Sequence, residues 1–142
     1  MQTFKWDGHL KTGNELIDME HKQIVDIYND CVELALNKTE NRKLIARLNE
    51  LQVKLAEHFR TEEILAGCIL ASDAGRLKLA EHKARHDYML DYLKTAIPKL
   101  AEQGDNTAAA QELLDHIHEW YETHIEHEDR EFVSYVKRRF AS

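Results

Sequence analysis

Asn41-Arg-Lys-Leu44-Ile-Ala-Arg-Leu48-Asn-Glu-Leu51-Gln-Val-Lys-Leu55-Ala-Glu-His58-Phe-Arg-Thr-Glu62-Glu-Ile-Leu65 is the stretch that decides the fold. Leu44, Leu48, Leu51, Leu55, His58, Glu62 and Leu65 recur in steps of four and three, the period of one face of an α-helix. Asn37-Lys-Thr-Glu-Asn41 interrupts the pattern before it, and Asn41 reads as the N-cap. His58 and Glu62 continue the apolar stripe, so an imidazole and a carboxylate face the same way as the leucines.

Three further stripes have the same rhythm. The first runs Ile17, His21, Ile24, Tyr28, Cys31, Ala35. The next runs His82, His86, Met89, Leu93, Ile97, Leu100 and ends at Gly104, a C′ position; Pro98 should kink its last turn or end the regular helix early. The last starts near Thr107 and runs Leu114, Ile117, Tyr121, His124, before a polar stretch that picks up Phe132, Val133, Val136 and Phe140. Residues 1–16, with Trp6, Gly8 and Gly13, read as an irregular arm, and 67–75 as a connection. The expected fold is all-α: an up-down-up-down four-helix bundle with an irregular N-terminal arm and a C-terminal helical extension. The expected organisation is a single domain over 1–142, with 1–16 the arm and 17–142 the bundle.

Composition agrees. Of 142 residues, 43% are hydrophobic and 32% charged, a balance that excludes a disordered chain. Five Gly and one Pro leave too little turn material for a many-stranded β fold. A net charge of −7 disfavours nucleic acid and anionic lipid as partners, and the basic run Lys137-Arg138-Arg139 reads as a helix-end decoration. No apolar run approaches a membrane span, and Met1-Gln-Thr-Phe-Lys-Trp-Asp has no apolar signal core, so the expected compartment is the cytoplasm. Cys31 and Cys68 form no CxxC pair and supply no thiolate cage.

Nine histidines are the outlier. His21, His58, Glu62, His82, His86 and His124 all fall on inward stripes, where an unbonded polar group costs roughly 2–7 kcal/mol. Six such groups would threaten a domain whose whole stability is about 5–15 kcal/mol. They must satisfy one another, and a shared metal does so. The spacings His58/Glu62 and His82/His86 each project two groups from one helix face. Asp129, five residues after His124, lies about 140° away on an ideal helix. It reaches the same point only if the helix bends, ends there or carries a π-bulge. His9, His116, His118 and His127 fall off the stripes and read as solvated, as do Glu63, Glu126, Glu128 and Glu131.

Five imidazoles and two carboxylates exceed the four ligands that one Zn²⁺ takes. Two metals sharing both carboxylates and one solvent-derived oxygen would have six and five ligands, leaving one position open. Imidazole with carboxylate suits iron, and the open position suits a small molecule such as O₂.

Ile17-Asp-Met-Glu-His21-Lys, His58-Phe-Arg-Thr-Glu62-Glu, His82-Lys-Ala-Arg-His86 and Trp120-Tyr-Glu-Thr-His124-Ile with Asp129 resemble the motifs of the hemerythrin family, specifically the bacterial hemerythrins, over essentially the whole chain. The resemblance implies a non-haem di-iron centre, oxo- or hydroxo-bridged. His82, His86 and His124 would sit on one iron, His21 and His58 on the other, and Glu62 and Asp129 would bridge. It implies O₂ bound end-on at the open iron, and a role as oxygen or redox sensor module, carrier or store, with a fused or associated signalling domain as a partner. Tyr121 departs from the leucine common at that position; its phenol is expected beside the bound O₂, unless the hydroxyl turns to a backbone partner. Phe59, Trp120 and Tyr28 are expected to form a dry wall. The interval from Glu62 to His82 is longer than usual in the family and lacks its proline. Two other functions compete. A di-iron enzyme of peroxidase or oxygenase type is disfavoured by five histidines, since ferritin-like sites use Glu-x-x-His pairs and more carboxylates. A structural bundle holding zinc or no metal is the third.

Overall fold

The structure, a computed structural model, describes residues 2–38, 40–67, 73–104 and 107–140, apart from the side chains of residues 139 and 140. Asn14 is extended and its side-chain oxygen accepts the Ile17 N–H at 3.0 Å, opening α1 (Glu15–Leu36) two residues before the expected boundary. The arm therefore ends earlier than residue 16. The second helix, α2 (Asn41–Ala66), begins at Asn41 itself behind Glu40, which makes no side-chain cap. Asn41 is thus a helical residue and not the N-cap; its amide reaches across to the Leu100 carbonyl at 3.4 Å.

The third helix, α3 (Asp73–Glu102), already includes Gly75, which is buried, so the connection is shorter than 67–75. Residues 68–72, with Cys68 and much of the long Glu62–His82 interval, lie outside the described residues. Pro98 does not end α3, which continues four residues beyond it. Gly104 adopts φ +66° where a C′ glycine was expected, behind a Gln103 N–H shared between the Lys99 and Leu100 carbonyls. The last helix has three parts: α4 (Thr107–Thr123), a π-helical turn over His124–Asp129, and α5 (Arg130–Phe140). The side chain of Phe140 lies outside those described.

Packing closes a four-helix bundle, α1 on α2, α2 on α3, α3 on α4 and α4 back on α1. The stripe residues are its core: Tyr28, Cys31, Leu48, Leu51, Leu55, Met89, Leu93 and Leu114 are essentially solvent-free. A second, smaller apolar cluster of Ile17, Ala66, Phe132 and Val133 sits at the other end. The polar stripe positions form the layer between the two clusters.

The arm lies along the bundle instead of trailing from it. Leu10 and Phe4 are buried. Phe4 exchanges two 2.9 Å hydrogen bonds with the Asn29 side chain, and the Tyr28 hydroxyl donates to the Gln2 carbonyl at 2.8 Å. Arg130 donates to the carbonyls of His9 and Lys11. Gly13, at φ +94°, lets Lys137 Nζ approach its carbonyl to 3.2 Å, where a Cβ would collide with that ammonium. Among the described residues no helix is long and apolar enough to cross a membrane.

Candidate metal centre

Each helix delivers its share because the stripe that faces the core also carries the polar side chains. His21 comes from α1, His58 and Glu62 from successive turns of α2, and His82 and His86 from successive turns of α3. His124 opens the π-helical turn and Asp129 closes it. That turn is one of the three devices expected to bring Asp129 onto the face of His124. All seven side chains are at most 2% exposed.

The seven divide into two overlapping groups: Glu62, His82, His86, His124 and Asp129 in one, His21, His58, Glu62 and Asp129 in the other, each with its donor atoms within 4.8 Å of one another. The carboxylate oxygens divide the same way. Asp129 turns Oδ1 to His124 Nε2 (2.8 Å) and His82 Nε2 (3.1 Å), and Oδ2 to His21 Nε2 (2.7 Å) and His58 Nε2 (3.7 Å). Glu62 turns Oε2 to His82 and to His86 Nε2 (3.1 Å), and Oε1 to His58 Nε2 (2.5 Å) and His21 Nε2 (3.8 Å). Each carboxylate thus offers one oxygen to the three-histidine group and the other to the two-histidine group.

The protein alone does not satisfy this layer. His58 Nε2, Glu62 Oε1 and Asp129 Oδ1 are buried without a well-directed hydrogen bond despite these short distances, and His86 Nε2 and His124 Nε2 stand 3.3 Å apart. Five imidazoles and two carboxylates converging on one buried layer, several of their atoms unpartnered, form a donor set that fits a bound cation.

In the metal-free layer protons on the imidazoles balance the carboxylates. Burial pushes both carboxyl groups up, yet the charges and hydrogen bonds of the histidines win: Glu62, beside His58 and His21, and Asp129, beside His124, His21 and His58, are held well below the ordinary carboxylate range. Burial likewise pushes the imidazoles down. At His124 the charge of Asp129 and hydrogen bonds donated to Asp129 and Glu128 overcome it, reaching about 9, and His58 is raised well above its ordinary value by Glu62, Asp129 and Glu20. At His86 burial prevails, with the neighbouring His124 and His82 adding to it, and the ring falls to about 4.

Two of the outward ring nitrogens, those of His58 and His124, have their own partners. His58 Nδ1 lies 3.0 Å from Glu20, which also accepts the Thr61 hydroxyl at 2.9 Å. His124 Nδ1 lies 2.8 Å from Glu128, which is ion-paired to Arg85 Nε at 2.5 Å. An ionised carboxylate only accepts, so these Nδ1 atoms carry a proton, which leaves each Nε2 as the ring atom that would ligate once a metal displaces its own proton. Glu128 is therefore no surface acid, contrary to the sequence reading. Glu63 stands 4.0 Å from His86 Nδ1, while Glu131 is exposed and pairs with Lys78 at 3.3 Å. Glu126 is half-buried.

Aromatic rings wall the three-histidine group. Phe59 stacks on His86 at 3.9 Å, Trp120 on His124 at 4.6 Å and Phe132 on His82 at 4.7 Å between centroids. The two-histidine group meets Tyr121 instead, whose ring stands edge-on to His21 at 6.0 Å. The Tyr121 hydroxyl is buried without a partner, so the backbone hydrogen bond that was the alternative is not made. Burial first, then the charges of Asp129, Glu62 and Glu20, keep the phenol protonated well above its usual range. Tyr28 lies one layer away: its hydroxyl serves the Gln2 and Leu114 carbonyls, and its ring meets Phe4 and His118.

Of the four histidines read as solvated, His9 and His127 are exposed and His116 is half-buried against Tyr92. His118 is a correction. It is buried beneath the arm, stacked on Phe4 at 4.2 Å. Sequence reasoning missed Glu20, Glu128, Arg85 and Phe132. For Glu128 the signal existed, since it stands four residues after His124; for Glu20, which pairs across helices, nothing local indicated it.

The chain is similar in sequence to known proteins. The chain is 29% identical over 133 residues to "Bacteriohemerythrin" of Clostridium acetobutylicum, covering 92% of this chain and 98% of that one. It is 26% identical over 132 residues to "Bacteriohemerythrin" of Pseudomonas aeruginosa, covering 93% and 80%. Residues 12–136, a span that holds all seven converging side chains, match the family model described as hemerythrin HHE cation binding domain. By that match the chain belongs to the hemerythrin family.

Proposed function

We propose that this chain is a non-haem di-iron module that binds O₂, with residues 1–142 forming one domain. In this reading His82, His86 and His124 hold one iron and His21 and His58 the other, while Glu62 and Asp129 bridge them. The observation that carries it is the division of carboxylate oxygens, one toward each histidine group. When bound, an oxo- or hydroxo-bridged iron pair supplies the electrons that reversible O₂ binding requires.

The residues do the rest. Three imidazoles, two carboxylate oxygens and one solvent-derived oxygen would give one side six ligands, whereas the side with two imidazoles would have five and keep a position for a diatomic ligand. Phe59 and Trp120 exclude water from the filled side, whereas Tyr28, which meets Phe4 and His118, is not part of that wall. Tyr121 borders the open side with a hydroxyl that has nothing else to bond. A polar O–H there favours proton delivery and water entry and so shortens the life of the O₂-bound state. Such a module suits a sensor of oxygen and redox state better than a store, and five neutral ligands suit a binder better than an oxidising enzyme.

The test is anaerobic reduction of the iron-loaded protein, then addition and removal of O₂ under absorption spectroscopy. A reversible band supports O₂ binding; a chain that takes up no iron, or one zinc, overturns the reading. Tyr121→Leu is expected to lengthen the life of the O₂-bound form, and an unchanged lifetime removes Tyr121 from the pocket.

A further inference from the structure

Behind the two histidine groups stand two carboxylates in unequal company. Glu20 backs His58 and is fastened by a neutral group, the Thr61 hydroxyl. Glu128 backs His124 but shares its charge with the Arg85 guanidinium. Solvent does not account for the difference, because the two carboxylate side chains are 17% and 20% exposed. A carboxylate behind an imidazole N–H raises the basicity of the opposite ring nitrogen. A cation on that carboxylate withdraws part of the effect, as any opposite charge at such distance does.

The geometry points to Glu20 and Glu128 as positioning residues that set the two metal positions apart: Glu20 strengthens His58 as a donor more than Glu128, restrained by Arg85, strengthens His124. His21 and His86 do not level the difference. His21 Nδ1 has no hydrogen-bond partner, and His86 Nδ1 has only Glu63 at 4.0 Å. Within the two-histidine group, His58 is then the one imidazole backed by a full negative charge, and that group depends on Glu20 more than the larger group depends on Glu128.

The inference rests on the two-metal reading, and an anaerobic titration of metal-free protein with Co²⁺, followed by visible absorption, keeps the two separable. Wild-type protein is expected to take two Co²⁺ in two resolved steps. Uptake of one or none overturns the two-metal reading and this inference with it. Glu20→Gln should weaken one step by about 10- to 100-fold, and Glu128→Gln should weaken the other step by a smaller factor. Arg85→Gln should tighten the step that Glu128→Gln weakens, a result that a merely structural ion pair would not give. Thr61→Val leaves the charge in place but frees Glu20, and should weaken the same step as Glu20→Gln. Circular dichroism of each metal-free variant shows whether it has folded, and Thr61→Val carries the test if Glu20→Gln has not. With two Co²⁺ bound to wild type, the inference falls if a folded Glu20→Gln leaves both steps unchanged, if both Gln variants weaken one and the same step, or if Arg85→Gln loosens its step.

Discussion

Burying a hydroxyl without a hydrogen-bond partner costs about 1–3 kcal/mol, and the Tyr121 phenol is in that state at the heart of the bundle. Tyr121→Phe keeps the ring contacts with Phe4 and His21 and removes only the oxygen. Urea unfolding of the metal-free protein should therefore show a gain of about 1 kcal/mol; a loss would mean that the hydroxyl is partnered. The imidazoles give a pH dependence of definite sign. In the metal-free fold His124 titrates near 9, against an ordinary value of about 6.5. Its contribution to stability is complete below that ordinary value and is lost as the pH rises through about 9. His86, held at about 4, works in the opposite sense: between its ordinary value and 4 the unfolded chain takes a proton that the fold refuses, so stability falls on acidification. The urea midpoint of the metal-free protein is expected to peak near pH 6.5 and fall on either side. A flat profile from pH 4 to 9 would contradict the burial of both rings.

At the scale of the helix, Asn14 shows how much a single cap controls. It satisfies the first turn of α1, the helix that carries His21. Asn14→Ala should cost about 1 kcal/mol, a fall in melting temperature of about 3 °C for a chain of this size. A variant that melts with the wild type would show the cap to be idle. What the sequence made legible, and what it did not, divides along the same line. Regular α-helix has a period, so the four stripes and the seven polar positions on them could be read directly, down to the irregularity that Asp129 demands. Side chains placed by something other than that period could not. His118 sits off its stripe and is buried because the arm, which has no repeat of its own, lays Phe4 over it. For Glu128 the spacing of four from His124 could be read, but not its pairing with Arg85 across from α3. Asn41 was mistaken for a cap because residue type alone does not distinguish a capping amide from one that bonds across to α3.

For the molecule as a whole, the polar layer between the two apolar clusters is a site of instability that only a ligand relieves. Whatever binds the folded chain and not the unfolded one stabilises it by mass action, about 4 kcal/mol at a thousand times the dissociation constant. Melting temperature should therefore climb with added iron(II) under anaerobic conditions and fall back when a chelator is added. Equal melting points for loaded and stripped protein would show that the layer satisfies itself. The π-helical turn carries a consequence for how this gene can vary. Losing one codon anywhere from 125 to 128 would produce a last helix that is better by every local rule, evenly wound and fully bonded. On that helix the aspartate would stand four residues after His124, about 40° from it, so both ligands would stay on one face; what would empty the bridge is winding the turn as regular α-helix with every residue kept, which puts Asp129 about 140° away.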